Sequence, residues 1–377
     1  MKKKIVYVIN HLSFFYSHIM PQALEARKNG FEIKVFCGKA ISLNSEKFAK
    51  KQLRINNISY INFHLNSTSL NILNDFIAFY KIIYNLYKYR PDIIHITTAK
   101  AQIIAGFAAI ILNIKNVIIF ISGMGYLYSN NLSLIEKLYK KIFFWSQKLI
   151  LKVTKAKIIV ENKNDYKYCI NALALKKNKI FTVKGSGVDL NKFKKINKKK
   201  NKIILLPARV IKEKGIIEFV KAAKILQKYN WKFIVAGPLD YKKSSSFVKK
   251  DLNILNSYKL VKFIGYQKNI YKILKKTAIV CLPSYREGLP KSLCEAAACG
   301  IPIVTTNTIG CKEVVKQNYN GELCRVKDHM GLAKKIEKLI LNPKLRNFYG
   351  KNSILYAKKN YNIKLINKKI LSIYNKV

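Results

Sequence analysis

Two glutamates eight positions apart mark the densest chemical signal in this 377-residue chain. They lie in Pro283–Cys299, which reads PSYREGLPKSLCEAAAC. The apolar run Ile279–Leu282 just before it predicts a buried strand. Gly288 and Pro290 break that pattern, and Pro290 suits the first turn of a helix over Lys291–Cys299. Glu287 therefore falls in the loop at a strand's carboxyl end, and Glu295 within the helix that follows. In open α/β sheets, ligands bind at that edge. The helix start beside Gly288 and Leu289 offers N–H groups and a positive dipole end to an anion. A carboxylate accepts strong hydrogen bonds from hydroxyls. Together these features suit a phosphorylated, hydroxyl-rich ligand, although spacing alone leaves Glu295 open as an ordinary surface residue.

A second signal is Ala208–Gly215, ARVIKEKG, directly after the strand-like run Ile203–Leu206. Arg209 and Lys214 flank a strand-to-helix turn. Arginine holds phosphate bidentately and lysine acts as a point charge, so the pair could neutralise a diphosphate. Lys214 is one lysine among many. Arg209 stands out, because arginine occurs only at positions 27, 54, 90, 209, 286, 325 and 346.

Such side chains need a scaffold that brings strand ends together, and the sequence alternates strand and helix patterns throughout. Strands are expected at Ile5–Ile9, Glu32–Cys37, Asp92–Ile96, Val117–Ile121 and Lys157–Val160. Helices are expected at Pro21–Asn29, Asn71–Arg90, Ala101–Leu112 and Leu132–Lys152. The stretch Lys192–Lys202, KFKKINKKKNK, lacks apolar periodicity and reads as a linker or exposed hairpin near a domain boundary. The alternation then restarts with strands at Ile203–Leu206, Lys232–Ala236, Val261–Ile264, Ile279–Leu282 and Pro302–Thr305, and helices at Ile216–Tyr229 and Lys291–Cys299. From Met330 onward the chain is helical and basic. This βαβ order predicts an α/β fold with parallel, doubly wound sheets.

Lys+Arg total 71 against 19 Asp+Glu, a net charge of +52. Heavy use of Lys, Asn and Ile is the pattern of AT-rich coding, which competes with a polyanionic partner as the cause of the excess. A basic nucleic-acid-binding protein is a remote alternative, since no aromatic–basic module or helix-turn-helix cue is present, and nucleic acid is not the expected partner. The seven cysteines are scattered without a C-x-x-C, which predicts reduced thiols, no metal site, and packing roles for Cys294 and Cys299. Nor do the five histidines show ligand spacing; His95 is expected to be buried and satisfied. The opening MKKKIVYVINH imitates a signal peptide, but its apolar run stops at Asn10 and reads as a strand.

From Arg209 to Gly321 the chain resembles the family 4 retaining glycosyltransferases of the GT-B fold. Glu287-x7-Glu295 is similar to their E-x7-E motif. GCKEVV…NYNG, Gly310 to Gly321, is similar to their G-G/C-x-E-V-V…N-G segment. ARVIKEKG resembles their G-R-x-x-x-x-K-G phosphate motif, with Ala208 in place of the usual glycine. GSGVDLNKF, Gly185 to Phe193, resembles their interdomain N-G-V-D-x-x-x-F element. The first half is similar more loosely, through FFYSHIMPQALEARKNGFEI, PDIIHITTAKAQIIAGFAA and ISGMGYLYS, to members that assemble bacterial polysaccharides on undecaprenyl-diphosphate-linked sugars. It departs from many members in having no glycine-rich loop at Asn10–Phe15 and no histidine in Ser122–Gly125.

The resemblance implies two Rossmann-like domains facing a cleft: 1–185 for the acceptor, 186–360 for a nucleotide-sugar donor, and a helix over 361–377 packing back on the first. Arg209 and Lys214 would hold the leaving diphosphate, and Glu287 the donor sugar's hydroxyls. Glu295 would hold the ribose, and the Gly288–Leu289–Pro290 turn would approach the donor by backbone. Tyr266 would border the base. Ser17, His18, Gly123 and Gly125 would line the acceptor side. The implied donor is UDP-linked, with an N-acetylhexosamine as the sugar; no metal or cofactor is implied. A glycosyltransferase with a soluble acceptor, or another GT-B enzyme such as a nucleotide-sugar epimerase or phosphorylase, competes with this reading.

Within Leu132–Lys152, Ile135, Leu138, Ile142, Trp145 and Leu149 form one apolar stripe, expected to face the core. Lys137, Lys141, Phe144, Lys148 and Leu151 form a basic face punctuated by apolar residues, which suits an anionic membrane surface. The longest apolar run, Ile103–Leu112, is too short to span a bilayer. A cytoplasmic enzyme, peripheral on the inner face of the cytoplasmic membrane, is the resulting expectation.

Overall fold

The computed structural model describes residues 2–38, 43–63, 65, 72–124, 134–196, 201–239 and 260–377. The chain forms two compact units, Met1–Ser186 with Leu365–Val377, and Gly187–Lys364.

In the first unit the elements run β1 (Lys4–Ile9), α1 (Leu12–Phe14), a π-turn over Phe15–Ile19, α2 (Met20–Lys28), β2 (Glu32–Cys37), α3 (Leu43–Ile55), β3 (Ser59–Asn62), α4 (Ile72–Tyr89), β4 (Ile93–Thr97), α5 (Ala99–Ile111), β5 (Val117–Ile121), α6 (Leu134–Val153), β6 (Lys157–Val160), α7 (Lys163–Leu173) and β7 (Ile180–Thr182). The seven strands form one parallel sheet in the order β3-β2-β1-β4-β5-β6-β7. Its order reverses between β1 and β4, where Ile9 sits opposite Thr97. Strands such as KIVYVI and VIIFI are apolar on both sides because both faces are covered. Val6, Val8, Ile94 and Ile96 meet α4, α5, α6 and α7 on one face. On the other, Ile5, Tyr7, Ile9 and Ile93 meet α2, α3 and the last helix of the chain. Each such buried aliphatic side chain contributes roughly 1.5–3 kcal/mol.

The second unit holds β8 (Ile203–Leu206), α8 (Ile216–Ile225), β9 (Lys232–Val235), β10 (Val261–Phe263), α9 (Ile270–Leu274), β11 (Ile279–Leu282), α10 (Lys291–Ala298), β12 (Ile303–Thr306), α11 (Cys311–Val314), β13 (Gly321–Cys324), α12 (His329–Leu341), α13 (Pro343–Asn360) and the start of α14 (Ile363–Tyr374). Its parallel sheet runs β10-β9-β8-β11-β12-β13 and reverses between β8 and β11. From Leu365 onward α14 belongs to the first unit, where Ile366, Ile370, Ile373 and Tyr374 join the core.

Two expectations are corrected. On α6 the stripe Ile135, Leu138, Ile142 and Trp145 is exposed and Leu149 only half-buried, while Phe143, Ser146, Gln147, Ile150 and Leu151 face the core. Phe144 packs against that core and Leu151 lies in it, so neither interrupts a basic outer face. A helix with apolar residues on two sides gives periodicity no means of choosing the inner one. The basic stretch 192–202, expected as a linker or exposed hairpin, has Lys192, Lys194 and Lys195 exposed but is not free over its described residues, and 197–200 lie outside them. The Asp189 carboxylate accepts the N–H groups of Asn191 and Lys192, and Phe193 and Ile196 pack into the second unit.

All seven cysteines are buried, Cys294 and Cys299 within the second unit's core. Among the described residues, no helix is long and apolar enough to cross a membrane.

Candidate active site

In the second unit β8 and β11 lie side by side, with Ile279 opposite Ile204 and Val280 opposite Leu205. The loops leaving their carboxyl ends, Pro207–Gly215 and Pro283–Pro290, therefore emerge together at the point where the strand order reverses. They are fastened to each other. Gly215 ends the first loop at φ 71°, and a Cβ there would stand 2.1 Å from the Pro283 carbonyl oxygen, so only glycine permits the approach. The Glu213 carbonyl accepts the Tyr285 N–H at 2.9 Å and the Ser284 hydroxyl at 3.0 Å. Arg286 donates to the Glu213 carboxylate at 2.6 Å, and the Tyr285 hydroxyl to Glu218 at 2.8 Å. The loop after β12 closes the third side: a Cβ on Gly310 would stand 2.4 Å from the Gly288 carbonyl oxygen. The Thr306 hydroxyl, at the end of β12, donates to the Ser284 carbonyl.

This fastening brings Lys214 Nζ to 2.5 Å from Glu287 Oε1. Both side chains are largely buried, 18% and 13% exposed, which strengthens their attraction relative to a surface pair. Arg209 sits half-buried on the same first loop. Leu289 and Pro290 are buried. Pro290 is the residue preceding α10 rather than part of its first turn, and no side chain caps that helix. Glu295 lies one turn after Lys291 on α10. Burial raises the Glu295 carboxyl and lowers the Lys291 ammonium, and each one's charge opposes the other's shift. The cluster thus offers cations, a helix start and two carboxylates within one set of strand ends. Tyr266 follows Gly265 just after β10, half-buried.

At the strand ends of the first unit, Ser17 and His18 lie on the π-turn. The Ser17 hydroxyl is 2.7 Å from His18 Nδ1, and the His18 ring stacks on Phe14 at 4.1 Å. Gly123 follows β5 at φ 98°. Gly125 lies outside the described residues.

Sequence reasoning missed Glu213 and Arg286, which lock the two loops. Their signal was the scarcity of acids and arginines. It also missed Asn10 and Thr98, which follow the paired Ile9 and Thr97 at the reversal point of the first sheet. Each carries a buried side-chain oxygen with no hydrogen-bond partner, and Thr98 holds φ 80°, a strained value for a β-branched residue. No sequence feature foretold that strain. Among the described residues, no group of three or more His, Cys, Asp or Glu is placed to hold a metal.

Residues 188–355 match the family described as Glycosyl transferases group 1, and residues 4–156 match Glycosyl transferase 4-like. The N,N'-diacetylbacillosaminyl-diphospho-undecaprenol alpha-1,3-N-acetylgalactosaminyltransferase of Campylobacter jejuni is 30% identical over 351 residues, covering 87% of this chain and 88% of its own. The UDP-Gal:alpha-D-GlcNAc-diphosphoundecaprenol alpha-1,3-galactosyltransferase of Escherichia coli is 25% identical over 76% of this chain and 75% of its own. In fold, the chain is similar over its whole length to Anabaena Alr3699/HepE, solved with UDP and glucose, at a TM-score of 0.78 and 16% identity, with 100% of both chains covered. With likeness in sequence over 87% of the chain, two matching family segments and two parallel sheets of the GT-B kind, this chain belongs to the group 1, 4-like glycosyltransferases.

Proposed function

We propose that the enzyme moves an N-acetylhexosamine from a uridine diphosphate donor to a glycan carried on undecaprenyl diphosphate, with retention of configuration and without a metal, at the inner face of the cytoplasmic membrane. The observation that carries this reading is the Lys214–Glu287 pair between the β8 and β11 loops. In the resting site each neutralises the other. An incoming diphosphate competes for Lys214 and Arg209, which frees the Glu287 carboxylate to accept hydroxyls of the donor sugar. Glu295 is assigned to the ribose, Tyr266 to the base edge, and the Gly288–Pro290 backbone to sugar and phosphate. The three proteins solved or named with UDP or undecaprenol-linked substrates support the donor and acceptor classes.

The bond from the anomeric carbon to the diphosphate oxygen breaks as the acceptor hydroxyl attacks from the same face. The diphosphate leaves with the bonding pair and takes the acceptor's proton. Lys214 and Arg209 stabilise its growing charge, a role worth about 3–4 kcal/mol per preorganised donor. Residues 1–185, with Ser17, His18, Gly123 and Gly125, are assigned to the acceptor.

The test is nucleotide release from a panel of UDP-, GDP- and dTDP-sugars, with and without an undecaprenyl-diphosphate-sugar, for wild type and Glu287→Ala. Acceptor-dependent release from one UDP-sugar, abolished in the variant, is expected. Equal release by the variant would overturn the site assignment. Release that needs no acceptor would favour an epimerase or hydrolase.

A further inference from the structure

Helix α4 is apolar on two sides. Ala78, Ile82 and Leu86 point inward, whereas Leu73, Phe76, Ile77, Tyr80, Tyr84 and Tyr87 form an outer stripe at helical spacing, with Tyr84 63% exposed. Helix α6 repeats the pattern with exposed Leu134, Ile135, Leu138, Ile142 and Trp145, Trp145 at 59%. Both helices pack against α5 on one face of the first sheet, so the two stripes belong to one side of the unit. More than half of the exposed large apolar side chains among the described residues sit on these two helices. Scattered exposed apolar residues need no explanation, but a continuous patch does.

Cations border the stripes. Lys81 and Lys88 on α4, and Lys137, Lys141, Lys148 and Lys152 on α6, are exposed. The acids of the two helices are only Asp75, bound to Lys100, and Glu136. A second copy of this chain would set lysines against lysines, and its +52 charge opposes self-association. Exposed tyrosines and a tryptophan ringed by lysine suit instead a surface that is apolar below and anionic above, which is the headgroup boundary of a bilayer.

We propose that the outer sides of α4 and α6 form one docking surface for anionic lipid. Tyr80, Tyr84 and Trp145 enter the headgroup–acyl boundary, and the lysines hold lipid phosphates. The inference rests on the lipid-linked acceptor reading above and names the surface through which the enzyme meets that acceptor's membrane.

The test is vesicle co-sedimentation with phosphatidylcholine alone and with phosphatidylglycerol added. The proteins are wild type, the triple variant Tyr80→Ser, Tyr84→Ser, Trp145→Ser, and a charge control carrying Lys334→Gln, Lys344→Gln and Lys351→Gln on exposed positions of the second unit. Wild type and the charge control are expected to bind anionic vesicles alike, and neutral ones far more weakly. The triple variant should bind anionic vesicles at least ~10-fold more weakly. Nucleotide release with a short-chain, detergent-free acceptor should be unchanged in that variant. This last readout separates failure of the surface from failure of the proposed reaction. Equal binding by the triple variant and wild type would overturn the proposal. So would a loss in the charge control as large as in the triple variant, because net charge alone would then explain binding.

Discussion

His95 is the residue whose behaviour follows most directly from its surroundings. It sits in β4 with no exposed surface, beside the Tyr7 and Phe120 rings. Its Nδ1 shares a 2.6 Å hydrogen bond with the Tyr374 hydroxyl, tying β4 to the chain's last helix, and its Nε2 has no partner. Burial lowers its pKa from 6.5 to about 3. Above pH 6.5 the imidazole is neutral in both folded and unfolded chains and stability is unaffected. As pH falls below 6.5 the unfolded chain takes up a proton that the folded one refuses, so stability is lost until the loss levels off near pH 3. At about 1.4 kcal/mol per pH unit, the stretch from 6.5 down to pH 5 costs about 2 kcal/mol. His95→Phe removes the titrating group at a position where Nε2 makes no bond. Urea unfolding is followed through Trp145, in a Trp231→Phe background that leaves it the only tryptophan. Between pH 7.5 and pH 5 the variant should lose about 2 kcal/mol less than wild type. The loss of the Tyr374 bond lowers stability equally at both pH values and cancels in that difference. Identical pH dependence in the two proteins would refute the argument.

Other consequences follow from single contacts. Lys214→Met removes the cation opposite Glu287 and should lower turnover by about 10²–10³-fold and, by leaving a largely buried carboxylate unpaired, lower unfolding stability as well; steady-state kinetics at a temperature well below the variant's melting point and a melting curve decide it. Burial alone would raise Glu322, but hydrogen bonds from Lys335, Lys338, Tyr349 and Gln317 outweigh it and hold the carboxyl at about 2. Its stabilisation is therefore present above pH 4.5 and lost as pH falls towards 2. Glu322→Gln should cost the second unit about 3–5 kcal/mol at neutral pH, read by Trp231 fluorescence during denaturation. Gly215→Ala forces a Cβ against the Pro283 carbonyl at a positive φ. It should spread the two loops and weaken UDP binding by more than ~10-fold in calorimetry.

Much of the scaffold was legible because a doubly covered parallel sheet writes itself as short continuous apolar runs. Glu32–Cys37, Val117–Ile121, Lys157–Val160, Ile203–Leu206 and Ile279–Leu282 are strands with those bounds. Strands β3 and β7 were not foreseen: SYIN lies half-exposed at one sheet edge, and IFT is three residues long at the other. Helix α6 was found but turned inside out. Its inner side carries Ser146 and Gln147 while its outer side carries Trp145, so the more hydrophobic stripe was the wet one. The loop that holds Glu287 was visible from Gly288 and Pro290. Its ion pair with Lys214 was not, because the two residues are 73 apart and meet only through the β8–β11 register.

Where cations outnumber acids 71 to 19, the two kinds of charge carry different information. A lysine on a solvated surface costs little wherever it arises, so lysine can accumulate without regard to function. Lys214 is therefore indistinguishable in sequence from its neighbours, and only its contact with Glu287 singles it out. Glu213, Glu218, Glu287 and Glu295 all gather around the loops and helices that follow β8 and β11. Arginine is scarcer still, and both Arg209 and Arg286 stand there too. In a chain of this composition the rare charges gather at the proposed site, and geometry singles out Lys214 among the lysines. The same logic makes the aromatic residues of α4 and α6, rather than their lysines, the decisive substitutions for testing membrane contact.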